Sequence, residues 1–267
     1  HAAEPELPAA EAVVNPNRQD EDGAFGHVCA AGMTFLVAVA LNVRLRDSGY
    51  LTEQGVETDL MGLLDLVALG TVADVVPLTG INRAFVARGL DVMNRLANPG
   101  LAALAGVGAL QPPLSAYHCG FVLGPRINAG GRVGEAATGA RLLTSDDPAV
   151  CDELARKLDA WNKERQEMEK ACVLQAREQI GDAPEGRVVM ARGEDWHEGV
   201  IGIVASRIKD AFDRPSFCFT RGEDGLLKGS ARSMAGFDLG AAVIAARKAG
   251  ILAKGGGHGM AAGVSVA

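Results

Sequence analysis

Near the C-terminal end, Lys254-Gly255-Gly256-Gly257-His258-Gly259-Met260-Ala261-Ala262-Gly263 sets three consecutive glycines between an ammonium group and an imidazole. A backbone stripped of Cβ atoms lets an anion approach main-chain N–H groups and admits the left-handed conformations of a tight turn. His258 can donate to a phosphate oxygen or exchange a proton with it, and Lys254 adds a fixed positive charge. These residue types predict an anion pocket on a glycine turn, with Gly256 and Gly257 at its floor. The plainer reading is a turn into a last strand beside a surface histidine. Upstream, Ser230 and Arg232 stand two apart in Gly229-Ser230-Ala231-Arg232-Ser233, so on a strand they share a face. A guanidinium fork recognises phosphate through paired hydrogen bonds, and a neighbouring hydroxyl supplements it.

Two more stretches carry candidate chemistry. Asp74 lies among Val72, Ala73, Val75 and Val76. A carboxylate in such company is costly to bury ionised unless it is paired or holds a cation, so metal ligation competes with a helix cap or a solvent-facing role. Gly124-Pro125-Arg126-Ile127-Asn128-Ala129-Gly130-Gly131-Arg132 reads as a glycine-rich loop on which Arg126 and Arg132 would clamp backbone phosphates. Trp196 and His197, before a helix start, suit base stacking and phosphate contact, or equally packing. His27 reads as a helix-entry residue, and His118 as a core or surface histidine.

The elements that must position these groups follow from periodicity and punctuation. Apolar spacing predicts helices over 26–46, 58–67, 82–96 and 100–106, and a short strand is open to residues 11–15. Asp147-Pro148 supplies an N-cap and a first-turn proline, and neither Gly nor Pro recurs until Gly181. One helix of about 33 residues, about 50 Å long, is expected there. Its apolar stripe is narrow and is interrupted by Arg165, which suits a connector between domains. Beyond it the pattern reads strand 187–191, helix 199–211, strands 216–220 and 226–232, a helix 238–249 capped by Asp238, and a last strand 261–266. The expected organisation is therefore α/β in two domains, residues 1–146 and 182–267, joined by a long helix over 147–181.

Composition agrees. Of 267 residues, 48% are hydrophobic and only 4% aromatic, a balance of helices and parallel strands rather than an all-β sandwich. The net charge of −7 argues against nonspecific nucleic-acid binding by the whole surface. It is unevenly placed, however: residues 1–181 hold 15 basic and 23 acidic side chains, residues 182–267 hold 11 and 10. The C-terminal part can therefore gather basic groups locally. The five cysteines, at 29, 119, 151, 172 and 218, show no ligand spacing; Cys29, Cys151 and Cys172, in apolar or helical settings, read as small core residues, which fits a reducing cytoplasm. The longest apolar run, Val28 to Val43, is too short for a membrane span and contains Asn42. The first residue is His1, which hints at a natural N-terminus further upstream.

Ser-x-Arg, an amphipathic helix, then Gly-Gly-Gly-His-x-Met-Ala-Ala-Gly resembles the DHHA1 module of the DHH phosphoesterases. Gly70-Thr71-Val72-Ala73-Asp74-Val75-Val76-Pro77-Leu78, Pro125-Arg126-Ile127-Asn128-Ala129 through Arg132, and Val13-Val14-Asn15-Pro16-Asn17 extend the likeness to the RecJ-like branch of that family. The resemblance implies a remainder of a DHH α/β domain followed by a DHHA1 domain. It further implies a 5′-to-3′ single-stranded-DNA exonuclease of DNA repair and recombination using Mn²⁺ or Mg²⁺, two ions in the complete protein. Asp74 would be a ligand, and His1 either the last histidine of the Asp-His-His motif or a residue without a role. Arg126, Arg132, Ser230, Arg232, Gly256, Gly257 and His258 would bind substrate, His258 also acting at the reacting phosphate. Helicase and single-strand-binding-protein partners are implied, and no membrane. The family's Asp-rich motifs and OB-type domain fall outside these residues, so the 267 residues alone are expected to be catalytically inactive. A DHH phosphoesterase for oligoribonucleotides or cyclic dinucleotides, or a non-catalytic nucleic-acid-binding module, are the alternatives.

Overall fold

A computed structural model describes residues 7–267, in two compact units; His1 lies outside the described residues. The first unit holds residues up to Ile127 and Thr138–Asp159, the second Asn128–Ala137 and Ala160–Ala267. The fold class is α/β. All five strands of the described residues belong to the second unit.

The first unit is helical. Its main elements are α1 (Ala30–Asp47), α2 (Leu64–Ala73), α3 (Gly80–Met93), α4 (Pro99–Val107) and the start of α5 (Gly124–Val133). Phe35 of α1 meets Phe85 of α3 edge-on at 5.6 Å, within a core that includes Val28, Leu64 and Val67. The pair α2 and α3 is drawn close by Gly89, where an added Cβ would lie 2.1 Å from the Leu64 carbonyl oxygen. Asn98 caps α4 by accepting the Leu101 N–H, with Pro99 at the first helical position.

Two expectations fail in this unit. Residues 11–15 form no strand but a loop and the Asn15-Pro16 turn. The glycine-rich loop at 124–132 is helical instead: α5 continues a π-helical turn over Cys119–Leu123. Pro125 is tolerated in a first helical turn, and Gly124 gives the room the packing needs, since a Cβ there would fall 2.8 Å from the Cys119 carbonyl oxygen and 3.2 Å from the Ala73 Cβ.

The long helix α6 spans Pro148–Ile180, 33 residues, and Asp147 caps it by accepting the Ala149 N–H. Its first turns belong to the first unit and the rest to the second. Its buried face is not a plain apolar stripe, because Asp159, Asn162 and Arg165 are buried too. Each is polar-paired: Arg126 Nε donates to Asp159, Arg165 to Asn162 and Glu169, which is what burial of such groups requires.

The second unit is a five-stranded mixed sheet of order β1-β2-β3-β5-β4. The strands are β1 (Val189–Gly193), β2 (Ser216–Arg221), β3 (Leu227–Arg232), β4 (Lys254–His258) and β5 (Ala261–Val266). β1 and β2 run parallel, as the intervening helix α7 (Glu198–Phe212) demands; all other pairs are antiparallel. One face is covered by α7 and the end of α6: Ile201, Val204, Ala205 and Ile208 pack with Cys172, Ala176, Val189, Ala191 and Cys218. The other face is covered by α8 (Leu239–Lys248), whose Leu239 and Val243 meet Ala231, Ala262 and Val264. Asp238 caps α8 through the Ala241 N–H. Every cysteine is buried and unpaired, and burial pushes the Cys218 thiol up to about 12, so these are inert core groups. Among the described residues no helix is long and apolar enough to cross a membrane.

Candidate nucleic-acid interface

The glycines after Lys254 form a strand rather than a turn. Gly255, Gly256 and Gly257 lie in β4, paired along β5, and none has a positive φ. Glycine is needed there for space: a Cβ at Gly257 would sit 2.3 Å from the Ala261 carbonyl oxygen, and one at Gly255 2.8 Å from Val243 Cγ1. Between them Gly256 is open, with nothing within 4 Å of an added Cβ.

Register then brings the distant residues together. Arg232, Ala261 and His258 stand side by side across β3, β5 and β4, and Ser230, Gly263 and Gly256 form the next row. Directly opposed residues project to one face, here the face that α7 covers over β2 and β3 and leaves open toward β4. The result is a shallow patch floored by glycine and edged by a hydroxyl, a guanidinium and an imidazole.

Arg232 Nη1 donates to Ser230 Oγ at 3.1 Å and to the Ala231 carbonyl at 2.9 Å, which holds the guanidinium along its strand. Gly202 of α7 leaves room above the pair, since a Cβ there would lie 3.0 Å from both Arg232 Nη2 and Ser230 Oγ. His258 is exposed, and its Nδ1 accepts the Met260 N–H at 3.3 Å. In the neutral ring Nε2 then carries the proton and is free to donate.

Arg132 joins this group from the end of α5, its Nη1 donating to the Gly199 carbonyl at 3.2 Å. Burial lowers the Arg232 pKa, and the positive charge of Arg132 lowers it further. Burial lowers Arg132 likewise, with Arg165 adding to the effect and Glu169 opposing it. Both guanidinium groups stay charged at any physiological pH, so the patch holds half-buried positive charge in mutual repulsion. Glu169 is shared among Arg165 and Arg207, at 2.8 and 2.9 Å. An added anion would relieve the imbalance.

The other candidates are placed differently. Arg126 donates to Asp159 at 2.9 Å and to the Val122 carbonyl at 2.9 Å, and its side chain is largely buried. Trp196 is buried in the core and donates to Gln175, so it offers no stacking face. His197 Nδ1 accepts the Gly199 N–H as the cap of α7, which takes up the site considered for phosphate. His118 likewise serves its helix, accepting the Ser115 N–H at 2.9 Å.

Asp74 is in the first unit and is exposed, as the helix-cap and solvent-facing readings of its sequence have it. It ends α2 as its C-cap, and Val75 turns the chain outward at φ +55°, 87% exposed. A carboxylate at a helix C-terminus is electrostatically disfavoured, and a β-branched residue in the left-handed region is strained. A bound cation would offset the first. Asp74 lines a cleft with Asn15, Asn17, His27 and Pro77, and Asn82 ties this cleft together. Fully buried, Asn82 donates to the carbonyls of His27 at 2.8 Å and Pro77 at 3.0 Å. Asn82→Leu leaves both carbonyls without that donor and is expected to cost about 2–4 kcal/mol in urea unfolding.

Sequence reasoning missed Arg165, Gly202, Gly263, Lys228 and Ser265. Lys228 was within reach, being two residues before Ser230 on the same strand face; the others depend on register and helix packing.

Residues 185–267 match the DHHA1 domain family. The single-stranded-DNA-specific exonuclease RecJ of Dickeya dadantii is 41% identical over 270 residues, covering 97% of this chain and 47% of that protein. A crystal structure of RecJ with Mg²⁺ from Thermus thermophilus superposes with a TM-score of 0.70 at 36% identity, covering 82% of this chain and 33% of that one. One of exonuclease RecJ bound to manganese gives 0.71 at 35% identity, covering 88% and 56%. The chain spans about half the length, or less, of the curated relatives it matches. It is RecJ-like along nearly its whole length, and its C-terminal part is a DHHA1 domain.

Proposed function

We propose that this protein acts as a metal-dependent 5′-to-3′ exonuclease on single-stranded DNA, in DNA repair and recombination, with the second unit as its phosphate grip. The observation that carries this reading is the open patch on which Ser230, Arg232, Gly256 and His258 meet, with Arg132 behind them. An arginine fork, a hydroxyl and an imidazole donor suit the 5′-terminal phosphate of the strand being digested. Likeness to relatives named as single-stranded-DNA-specific exonucleases supports the substrate class. Mg²⁺ or Mn²⁺, bound in the RecJ structures, is the proposed cofactor, with Asp74 as one ligand. Among the described residues no three Asp, Glu, His or Cys side chains converge. One carboxylate does not hold a divalent ion, so these residues supply the grip and a single ligand rather than a metal site. A cytoplasmic location, with helicase and single-strand-binding-protein partners, completes the proposal; the unpaired buried cysteines support the reducing compartment.

The test is hydrolysis of 5′-labelled DNA with Mn²⁺ or Mg²⁺, by the 267-residue chain and by a fusion of it behind the Asp-His-His segment of a RecJ relative. The chain alone is expected to bind single strands without cleaving them. The fusion is expected to digest single-stranded but not duplex DNA and to lose that activity with Asp74→Ala. Preferential cleavage of dinucleotides, or activity indifferent to Asp74, overturns the exonuclease reading. Arg232-dependent binding by the fusion without any cleavage points to a binding module.

A further inference from the structure

One step along the same three strands from Ser230, Gly263 and Gly256 lies a third row, Lys228 on β3, Ser265 on β5 and Lys254 on β4, in register. Lys228, Lys254, Ser230 and Ser265 wall a cavity of about 370 Å³ floored by Gly256 and Gly263. A Cβ at either glycine meets no atom within 4 Å, and neither has a positive φ. Packing and backbone therefore do not ask for glycine at these two positions. Glycine weakens a strand interior, and where nothing in the fold requires it the usual reason is close approach by a ligand.

The geometry points to a second phosphate subsite, in which Lys228 and Lys254, on either side of Ser265, hold the phosphodiester next along the strand from the phosphate gripped by Ser230 and Arg232. It rests on the single-stranded-DNA reading above and adds how far the contact extends. Adjacent rows are two strand residues apart, roughly 6.6 Å, comparable to the distance between consecutive phosphorus atoms of a polynucleotide. The side chains differ in a matching way. The fork of Arg232 suits a terminal phosphate with several free oxygens, whereas ammonium point charges suit an internal diester with a single negative charge. Lys254 is exposed and makes no ion pair among the described residues; Lys228 is paired with Asp224 at 2.5 Å. Glu198 also lines this cavity. Two carboxylates near two ammonium groups disfavour a dianion and leave the subsite fitted to a monoanion.

The experiment is an NMR titration of the chain with thymidine 5′-monophosphate and with the 5′-phosphorylated dinucleotide pTpT. Lys254→Gln, a change on an exposed edge strand, is expected to lower pTpT affinity about fivefold and monophosphate affinity less than about twofold. Arg232→Gln is expected to lower both. If Arg232→Gln weakens both ligands while Lys254→Gln leaves pTpT unaffected, the second subsite is overturned and the first stands. If wild type binds neither, or Arg232→Gln changes nothing, the phosphate grip itself is wrong.

Discussion

Arg232→Ala is expected to lower the affinity of the chain for 5′-phosphorylated single-stranded DNA by about 10- to 100-fold, read by fluorescence anisotropy at fixed salt. Hydrogen bonds from a charged donor contribute about 1.5–3 kcal/mol, and about 1.4 kcal/mol is a factor of ten. The fold should be little affected. Arg232 makes its hydrogen bonds to Ser230 Oγ and the Ala231 carbonyl, and the like charge of Arg132 acts against its own. Removing it therefore relieves repulsion as well as losing contacts. Arg232→Lys should recover only part of the affinity, because a point charge cannot replace the fork. A variant that melts far below wild type would instead make Arg232 a structural residue.

Gly257→Ala and Gly256→Ala are expected to move stability in opposite directions although they are neighbours on one strand. At Gly257 the new methyl would meet the Ala261 carbonyl oxygen at 2.3 Å and the Ala262 Cα at 2.5 Å. Both are backbone atoms of the paired strand, so β4 must move away from β5, at a cost of about 1–3 kcal/mol or more. At Gly256 the methyl meets nothing, and restricting the unfolded chain stabilises by about 0.4–1 kcal/mol. The same methyl rises from the floor beneath Ser230 and Gly263, so Gly256→Ala should weaken DNA binding while raising the unfolding midpoint. Denaturant melts and anisotropy on the two variants separate the effects. If Gly256→Ala left affinity unchanged, the open glycine floor would have no part in binding.

Much of the second unit was legible because its signals are local. Asp238 in front of an apolar period gives the capped α8, Asp147-Pro148 and the absence of Gly or Pro give α6, and alternation gives β5 over Ala261–Val266. Ser230 and Arg232 could be placed on one face from their spacing alone, and the register bears this out. What failed depends on partners. The Gly255–Gly257 run carries no side-chain pattern, so only its pairing with β5 distinguishes a strand from a turn. The same poverty of pattern hid α5, whose Gly124 and Pro125 look like loop residues until the π-helical turn before them and Ala73 beside them are in place. From its neighbours alone Asp74 is open between a cation ligand, a helix cap and a solvent-facing residue, and only the outward turn at Val75 shows that it caps α2 and is exposed. Arg132 and Arg232 are far apart in sequence and meet only in the folded unit, and Asp159, Asn162 and Arg165 read as breaks in a stripe rather than as a buried polar network.

The phosphate grip is tested most directly by a crystal structure of the chain with a short 5′-phosphorylated single-stranded oligonucleotide. One phosphate is expected within hydrogen-bonding distance of Ser230 Oγ, the Arg232 guanidinium and His258 Nε2, lying over Gly256. An oligonucleotide bound elsewhere on the second unit, or only on the helical first unit, with the patch over Gly256 and Gly263 filled by solvent, would contradict it.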